Sequence, residues 1–431
     1  MTHSCCDVVV VGGGLGGLAA AALLGRRGLD VLLVERASAL GGRATTQVRD
    51  GFCFNQGAHA LYLGGAAARV LGGLGVRWTG RRPPSTGRAW FGDRGYALPA
   101  TAGAMLTTGL LSLSGKVQGA TLLARLGSLD ADALAGTPLD AWLTENVPDS
   151  TMRATFESFV RVSTYTHAPT LLSAGAAIRQ LRLAQRPGVS YLDAGWQTLV
   201  SNLAGVAAQA GVRVRTGARA SRADRDATGA WRVHAGEGDP IACRALVLAT
   251  SPATARSIVA SRALSDWESQ AVPVQAACLD VGLTRLPDVE TTFALGVDRP
   301  LYFSVHSRTA RVAPPGAALV SAMKYLSPTL APDPARDEAE LEAWLDRLQP
   351  GWREAMVERR WLPAMVVSHA LVTASGGGLA GRPGPVVPDA PGVVVVGDWV
   401  GAEGMLLDAS MASAERAAEE VGRMLAMAKV A

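Results

Sequence analysis

The sequence predicts an α/β protein built on a βαβ unit, and three observations predict it. The apolar residues change period at a cluster of glycines. That cluster has the spacing Gly12-x-Gly14-x-x-Gly17. An acid, Glu35, closes the next apolar run 18 residues after Gly17.

Each element of the unit has its own reason. Val8–Val11 is a short β-branched run, the composition of a strand buried on both faces. Leu15–Leu24 is rich in Ala and Leu, the best helix formers. After "GRRGLD", Val31–Val34 is a second apolar run and the second strand. A membrane span does not fit, because such a helix needs about 20 mostly apolar residues and five glycines stand between Gly12 and Gly17. A secretory signal does not fit either, since "MTHSCCD" supplies no Lys or Arg ahead of the apolar run.

The glycines sit at the strand-to-helix turn, the place of a Rossmann-type dinucleotide fingerprint. The first permits the turn, the second lets backbone approach a pyrophosphate, and the third lets helix and strand pack closely. The free N–H groups and positive end of the helix favour phosphate. Glu35 is placed to accept hydrogen bonds from an adenosine ribose. Gly12, Gly14, Leu15, Gly16, Gly17, Glu35 and Arg36 therefore form a candidate cofactor site. The competing reading is a structural turn in a nucleotide-free α/β domain.

The whole chain sets outer bounds. Its 431 residues predict two domains with a sizeable core. Hydrophobic residues make up 48% and charged residues 18%, which excludes a disordered chain. A net charge of +4, dispersed along the sequence, argues against a nucleic-acid partner. Arg carries nearly all of the positive charge, and with the Ala and Gly richness this suggests a GC-rich bacterial source. The five cysteines are scattered and lack CxxC spacing, so neither a disulfide framework nor a metal site is expected, and a cytoplasmic setting fits best.

Beyond Glu35 the chain reads "RASALGGRATT" and then "DGFCFNQGAHALY". Here it resembles the family of FAD-dependent amine oxidases, protoporphyrinogen oxidases and phytoene or squalene desaturases. The resemblance implies that Gly41, Gly42 and Arg43 run beside the FAD pyrophosphate and flavin, and an Arg suits phosphate on physical grounds as well. A second block, "YLDAGWQTLVSNLAGVAAQAGVRVRTGARASR", is similar to the family's helix and strand over the adenine, with Ala218 where a backbone amide and carbonyl meet the adenine edge. A third block, "PGVVVVGDWVGAEGMLLDASMASAERAAEEV", resembles the C-terminal segment. There Gly397 and Asp398 take the FAD hydroxyls, and the N–H groups of Leu406 and Leu407 face the pyrimidine end of the flavin. Asp408 reads as a first-turn helix acid.

These blocks imply an FAD-binding Rossmann-type domain of the glutathione-reductase kind, discontinuous over residues 1–63, 188–262 and 385–431. A mixed α+β substrate domain, residues 64–187 and 263–384, is inserted into it. Within it, "ATAGAMLTTGLLSLSGKVQGATLLARLG" is apolar, and with Lys116 and Arg125 as its only cations it fits a core helix better than a membrane-surface one.

Four residues are candidates for chemistry. By the resemblance, His167 lies where the family's chain passes near the flavin. His59 and His167 are read either as acid or base or as hydrogen-bonded structural residues. Lys324 would hold a water at flavin N5, as a lysine does in many amine oxidases, though its surroundings do not match. Trp399 would supply one aromatic ring. Departures from the family pattern carry more weight. The two aromatic rings that orient amines in monoamine oxidases become Leu379 and Leu406, and the cysteine that attaches flavin covalently becomes Gly378. The expectation is noncovalent FAD and a small, largely apolar substrate that loses hydride from a C–C or C–N bond to flavin N5, with O2 or another electron acceptor. The alternatives are an amine oxidase with an atypical cage, a non-redox isomerase using reduced FAD, and a noncatalytic nucleotide-binding module.

Overall fold

The computed structural model describes residues 5–427. Two seven-stranded sheets organise them. The first begins as the glycine pattern predicts. Strand Cys5–Val11 turns into helix Leu15–Gly25, which leads to strand Val31–Val34. Across this sheet the order is Arg213–Arg215, Val31–Val34, Cys5–Val11, Ile241–Leu248, Trp231–Ala235 and Ala220–Arg225, and Val393–Val395 pairs with Ile241–Leu248. The pairs among Arg213–Arg215, Val31–Val34, Cys5–Val11, Ile241–Leu248 and Val393–Val395 are parallel. The hairpin Trp231–Ala235 with Ile241–Leu248 is antiparallel.

Burial explains the composition. Helix Leu15–Gly25 is apolar on every side because it packs between the C-terminal helix Leu406–Met427 and helix Gln197–Gln209, with Leu18 through Ala22 fully buried. Val8, Val9, Val10, Val31, Leu33, Val393 and Val394 are likewise buried on both faces of the sheet. The carboxyl ends of the parallel strands converge on one edge, where ligands of such sheets bind.

The second sheet runs Met356–Ser368, Val274–Leu283, Ala318–Leu326, Leu301–Val305, Phe293–Gly296, Arg88–Phe91 and Arg94–Ala97. It is antiparallel except for the pair between Phe293–Gly296 and Arg88–Phe91. One face carries helix Pro334–Leu348, which buries Leu341, Trp344 and Leu345 against it. Helices Leu139–Asn146, Ser150–Thr164 and Ala174–Gln185 share a separate core with Tyr302, Met323 and Tyr325. The apolar segment around residues 100–127 forms two helices, Ala102–Thr107 and Leu113–Leu126. The second buries Leu122 and Leu126 but leaves Leu113 and Val117 exposed, so only one face belongs to the core. Among the described residues no helix is long and apolar enough to cross a membrane.

Candidate active site

At the carboxyl edge of the first sheet lies a cavity of about 640 Å³. Every residue assigned above to cofactor binding lines it, from Gly12 and Glu35 through Arg43 and Ala218 to Asp398 and Leu407. Sequence position alone does not bring these groups together. The fold does so by ending strands Cys5–Val11, Val31–Val34, Ile241–Leu248 and Val393–Val395 at a common edge.

The glycine turn is built by close contact. A Cβ on Gly17 would stand 1.9 Å from the Gly12 carbonyl oxygen, so only glycine lets the helix approach its strand. Gly14 differs. A Cβ there would meet nothing nearer than the Gly41 carbonyl oxygen at 3.9 Å, and one on Gly42 would meet only Gly14 Cα at 3.7 Å. No side chain crowds either position. No side chain caps the helix start at Gly14, which leaves its first N–H groups for a ligand. The Glu35 carboxylate is held beside this turn, accepting from the Gly13 N–H at 2.6 Å and the Ala37 N–H at 2.8 Å. The Ala218 N–H, expected at a ligand edge, instead donates to the Glu35 carbonyl at 2.9 Å.

Opposite the turn is a charged cluster. Arg43 Nη1 donates to Asp398 Oδ2 and to the Val367 carbonyl, each at 2.7 Å. His369 Nδ1 lies 3.0 Å from Asp398 Oδ1. Burial works against a charge on Asp398, but the Arg43 guanidinium and the His369 ring outweigh it and hold the carboxyl well below the usual carboxylate range. Arg382 is half-buried and donates to the carbonyls of Asp398 and Gly404, bracing the loop between them.

Leu406 opens the C-terminal helix at φ 55, a left-handed conformation that costs a leucine about 1–2 kcal/mol. Two residues on, Asp408 is the first-turn acid that the sequence led us to expect, but its side chain reaches beyond its own helix. Its Oδ1 accepts from the Ala67 N–H of a different helix at 2.7 Å, whereas Oδ2 has no partner. Burial pushes its carboxyl up to about 6.

The four candidates for chemistry separate. His59 lines the cavity, with Nδ1 2.9 Å from the Gly57 carbonyl and its ring 4.7 Å from that of Trp196. Burial lowers its pKa below the ordinary imidazole value. His167, Lys324 and Trp399 do not line the cavity. Burial, with Arg161 and Lys324 adding to it, brings the His167 pKa down to about 4. Lys324 points to helix Pro334–Leu348 and donates to Asp337 at 2.7 Å and Glu340 at 2.6 Å. Burial opposes its charge, but these two carboxylates win and raise its pKa. Trp399 is 2% exposed, packs on Trp267 and donates to the Thr250 carbonyl at 3.0 Å. The aromatic rings that do reach the cavity are Tyr62, Tyr165 and Trp196. The sequence reading missed His369; a His at the end of a long amphipathic strand was its only signal.

Residues 15–422 match the family described as flavin-containing amine oxidoreductases. The chain belongs to this family. Its cofactor is a flavin. Carotenoid 3,4-desaturase of Haloarcula japonica is 55% identical over 51 residues, 12% of this chain and 10% of the relative. Amine oxidase B of Cavia porcellus is 48% identical over 64 residues, 15% of this chain and 11% of that enzyme. The matched stretches thus span about a tenth of these curated relatives. An oxidoreductase from Methanosarcina mazei shares the fold, with a TM-score of 0.76 at 20% identity over 97% of this chain and 100% of that one. The cavity fits the flavin of this family. Gly14 and Gly42 leave a gap that a Cβ would fill, and the wall carries a partnerless acceptor at Asp408 Oδ2 and a partnerless donor at Trp196 Nε1.

Proposed function

We propose that the protein is an FAD-dependent oxidoreductase that removes hydride from a C–C or C–N bond of a small, largely apolar molecule. The observation that carries this reading is the wall of the cavity beyond the glycine turn. It includes Ala58, Ala60, Tyr62, Tyr165, Met365 and Leu406 beside His59 and Gln56, and no lysine lines the cavity. Leu379 and Leu406 pack in one apolar cluster with Ala176, Val372 and Met405, so this corner has no paired rings to receive an amine.

Bound in the cavity, FAD supplies the acceptor for the electrons and hydrogen that leave the substrate. The chain supplies binding and orientation. Gly14, Gly42 and the uncapped helix start take the pyrophosphate, and Glu35 takes the adenosine ribose. The first-turn N–H groups of Leu406 and Leu407 stabilise the negative charge that gathers at the pyrimidine end. The apolar wall orients the substrate and excludes water. FAD is held noncovalently on this reading, because Gly378 stands where a cysteine attachment is made. The acceptor that returns the enzyme to its starting state is O2 or another oxidant.

The same reading divides the chain into a cofactor domain (residues 1–63, 188–262 and 385–431) and a substrate domain (64–187 and 263–384). Residues 1–4 and 428–431 of these ranges lie outside the described residues. The division is supported by the two large sheets, which draw their strands from 5–34, 213–248 and 393–395 and from 88–97 and 274–368.

The test is the absorbance spectrum of the purified protein, followed by anaerobic titration with amines and with apolar polyenes. Flavin bands bleached by apolar substrates alone support the proposal. Bleaching by simple amines overturns the substrate class, and a protein that takes up no FAD overturns the whole reading.

A further inference from the structure

The cluster of Arg43, Asp398 and His369 distributes its exposure unevenly. The Asp398 side chain is 1% exposed, against 39% for Arg43 and 24% for His369. Both Asp398 oxygens are engaged, Oδ2 by Arg43 and Oδ1 by His369. The backbone N–H of His369 also donates to Oδ1, at 3.3 Å. The carboxylate that the resemblance assigns to the cofactor hydroxyls is therefore the buried hub of the cluster. All three residues line the cavity, but the two partners carry nearly all of the cluster's exposed side-chain surface.

An ionised carboxylate only accepts, so the contact to Asp398 makes His369 Nδ1 the donor. That leaves Nε2, on the far side of the ring from Asp398. It has no protein partner among the described residues, and the ring sits in the cavity wall. A carboxylate behind a histidine ring fixes the tautomer and the ring's orientation. The ring is held further by its neighbours. Arg43 ties the Val367 carbonyl, at the end of the same strand, to Asp398, and Arg382 ties the Asp398 carbonyl to the following loop.

We propose that His369 is a positioning residue for the bound flavin nucleotide, locked through Nδ1 by Asp398 and presenting Nε2 to the cofactor as a hydrogen-bonding atom. This rests on the FAD reading above and deepens it. Asp398 then acts on the cofactor through His369 and Arg43, not by direct contact. A purely structural role, tying the strand end to the loop after Val393–Val395, needs only the Nδ1 contact and makes no use of Nε2.

That difference can be measured with FAD binding to the apoprotein, followed by flavin fluorescence, in three variants. His369→Asn keeps a donor near Nδ1 and has nothing at Nε2. His369→Gln places its amide near Nε2, and His369→Ala removes both. The expected result is FAD affinity about tenfold weaker in the Asn and Ala variants, with much of it restored in the Gln variant. Wild-type affinity in the Asn variant, or a Gln variant as weak as the Ala one, overturns the proposal. A measurement on the unaltered protein guards against misfolded variants: diethylpyrocarbonate labelling of His369, located by mass spectrometry, with and without FAD. Protection by FAD is expected, and equal labelling overturns the assignment. If the wild-type protein binds no FAD, the functional reading fails with it. FAD binding that is indifferent to His369 removes the inference alone.

Discussion

Asp398 and Asp408 are both buried carboxylates on the cavity wall, and their surroundings drive them in opposite directions. Asp398 has a guanidinium and an imidazole beside it and stays charged. Asp408 has one N–H and, on its other oxygen, a packed wall with no hydrogen-bond partner, so burial prevails and its carboxyl rises to about 6. An unfolded aspartate titrates near 3.9. The native state therefore holds the Asp408 proton more tightly, and this contribution to stability is complete below about pH 4 and is lost as pH rises through about 6. Asp408→Asn cannot ionise and keeps an acceptor for Ala67. Its melting temperature should exceed that of the wild type at pH 8 and converge toward it at pH 4.5, the gap reaching at most about 3 kcal/mol. A difference that does not change with pH refutes this account. Asp398 has the opposite sign. Its contribution is present above the unfolded value and is lost as pH falls into the acid range. At pH 7 Asp398→Asn should cost about 1.5–3 kcal/mol, measured by denaturant unfolding, because it removes the charged acceptor of Arg43 and His369, both of which keep access to solvent. The identity of Asp398 as a special acid was legible in "GDW". The protonation of Asp408 was not, because a first-turn acid looks the same in sequence whether its far oxygen meets water or a closed wall.

At the scale of elements, the βαβ unit was legible because its signals are local. A β-branched run, a glycine spacing and an Ala–Leu run each act on near neighbours in the chain. The glycines nevertheless do different work, which two alanine variants will separate. Gly17→Ala puts a methyl group against the Gly12 carbonyl oxygen, and the expected outcome is loss of folded protein. Gly14→Ala has room for its Cβ and sits at an ordinary φ of −74°. It should give a folded, colourless protein with a near-normal melting temperature and no FAD uptake by spectral titration. A yellow Gly14→Ala variant rules out the pyrophosphate role of this turn. The segment around residues 100–127 was harder to read. Its Gly and Ser residues and its continuous apolar character do not say which face is buried, and the packing left Leu113 and Val117 outside.

At the scale of the molecule, the second sheet is tied to the strand Phe52–Asn55 by Arg360. Its guanidinium donates to Asp280 and to the Phe54 and Asn55 carbonyls, and it is 7% exposed. Breaking this pair with Arg360→Ala should destabilise the protein by about 3–5 kcal/mol in denaturant unfolding, since it leaves Asp280 buried without its cation. A loss below about 1 kcal/mol contradicts that view of the sheet contact. Noncovalent FAD is checked at the same scale. Acid precipitation should leave all of the flavin in the supernatant, and flavin retained on the pellet overturns the reading from Gly378.

The sequence by itself determined the βαβ unit, the glycine turn and the acid after the second strand. Each depends on spacing within a few turns of chain, where propensity and sterics act directly. Tertiary structure decided which groups face the cavity. It brought Arg43 to Asp398 across 355 positions and gave Asp398 a second partner in His369. It turned Lys324 away to Asp337 and Glu340, and it sank Trp399 into the core against Trp267. The reason is physical. Burial and charge pairing depend on which distant segments share a surface, and no local period in the chain encodes that choice.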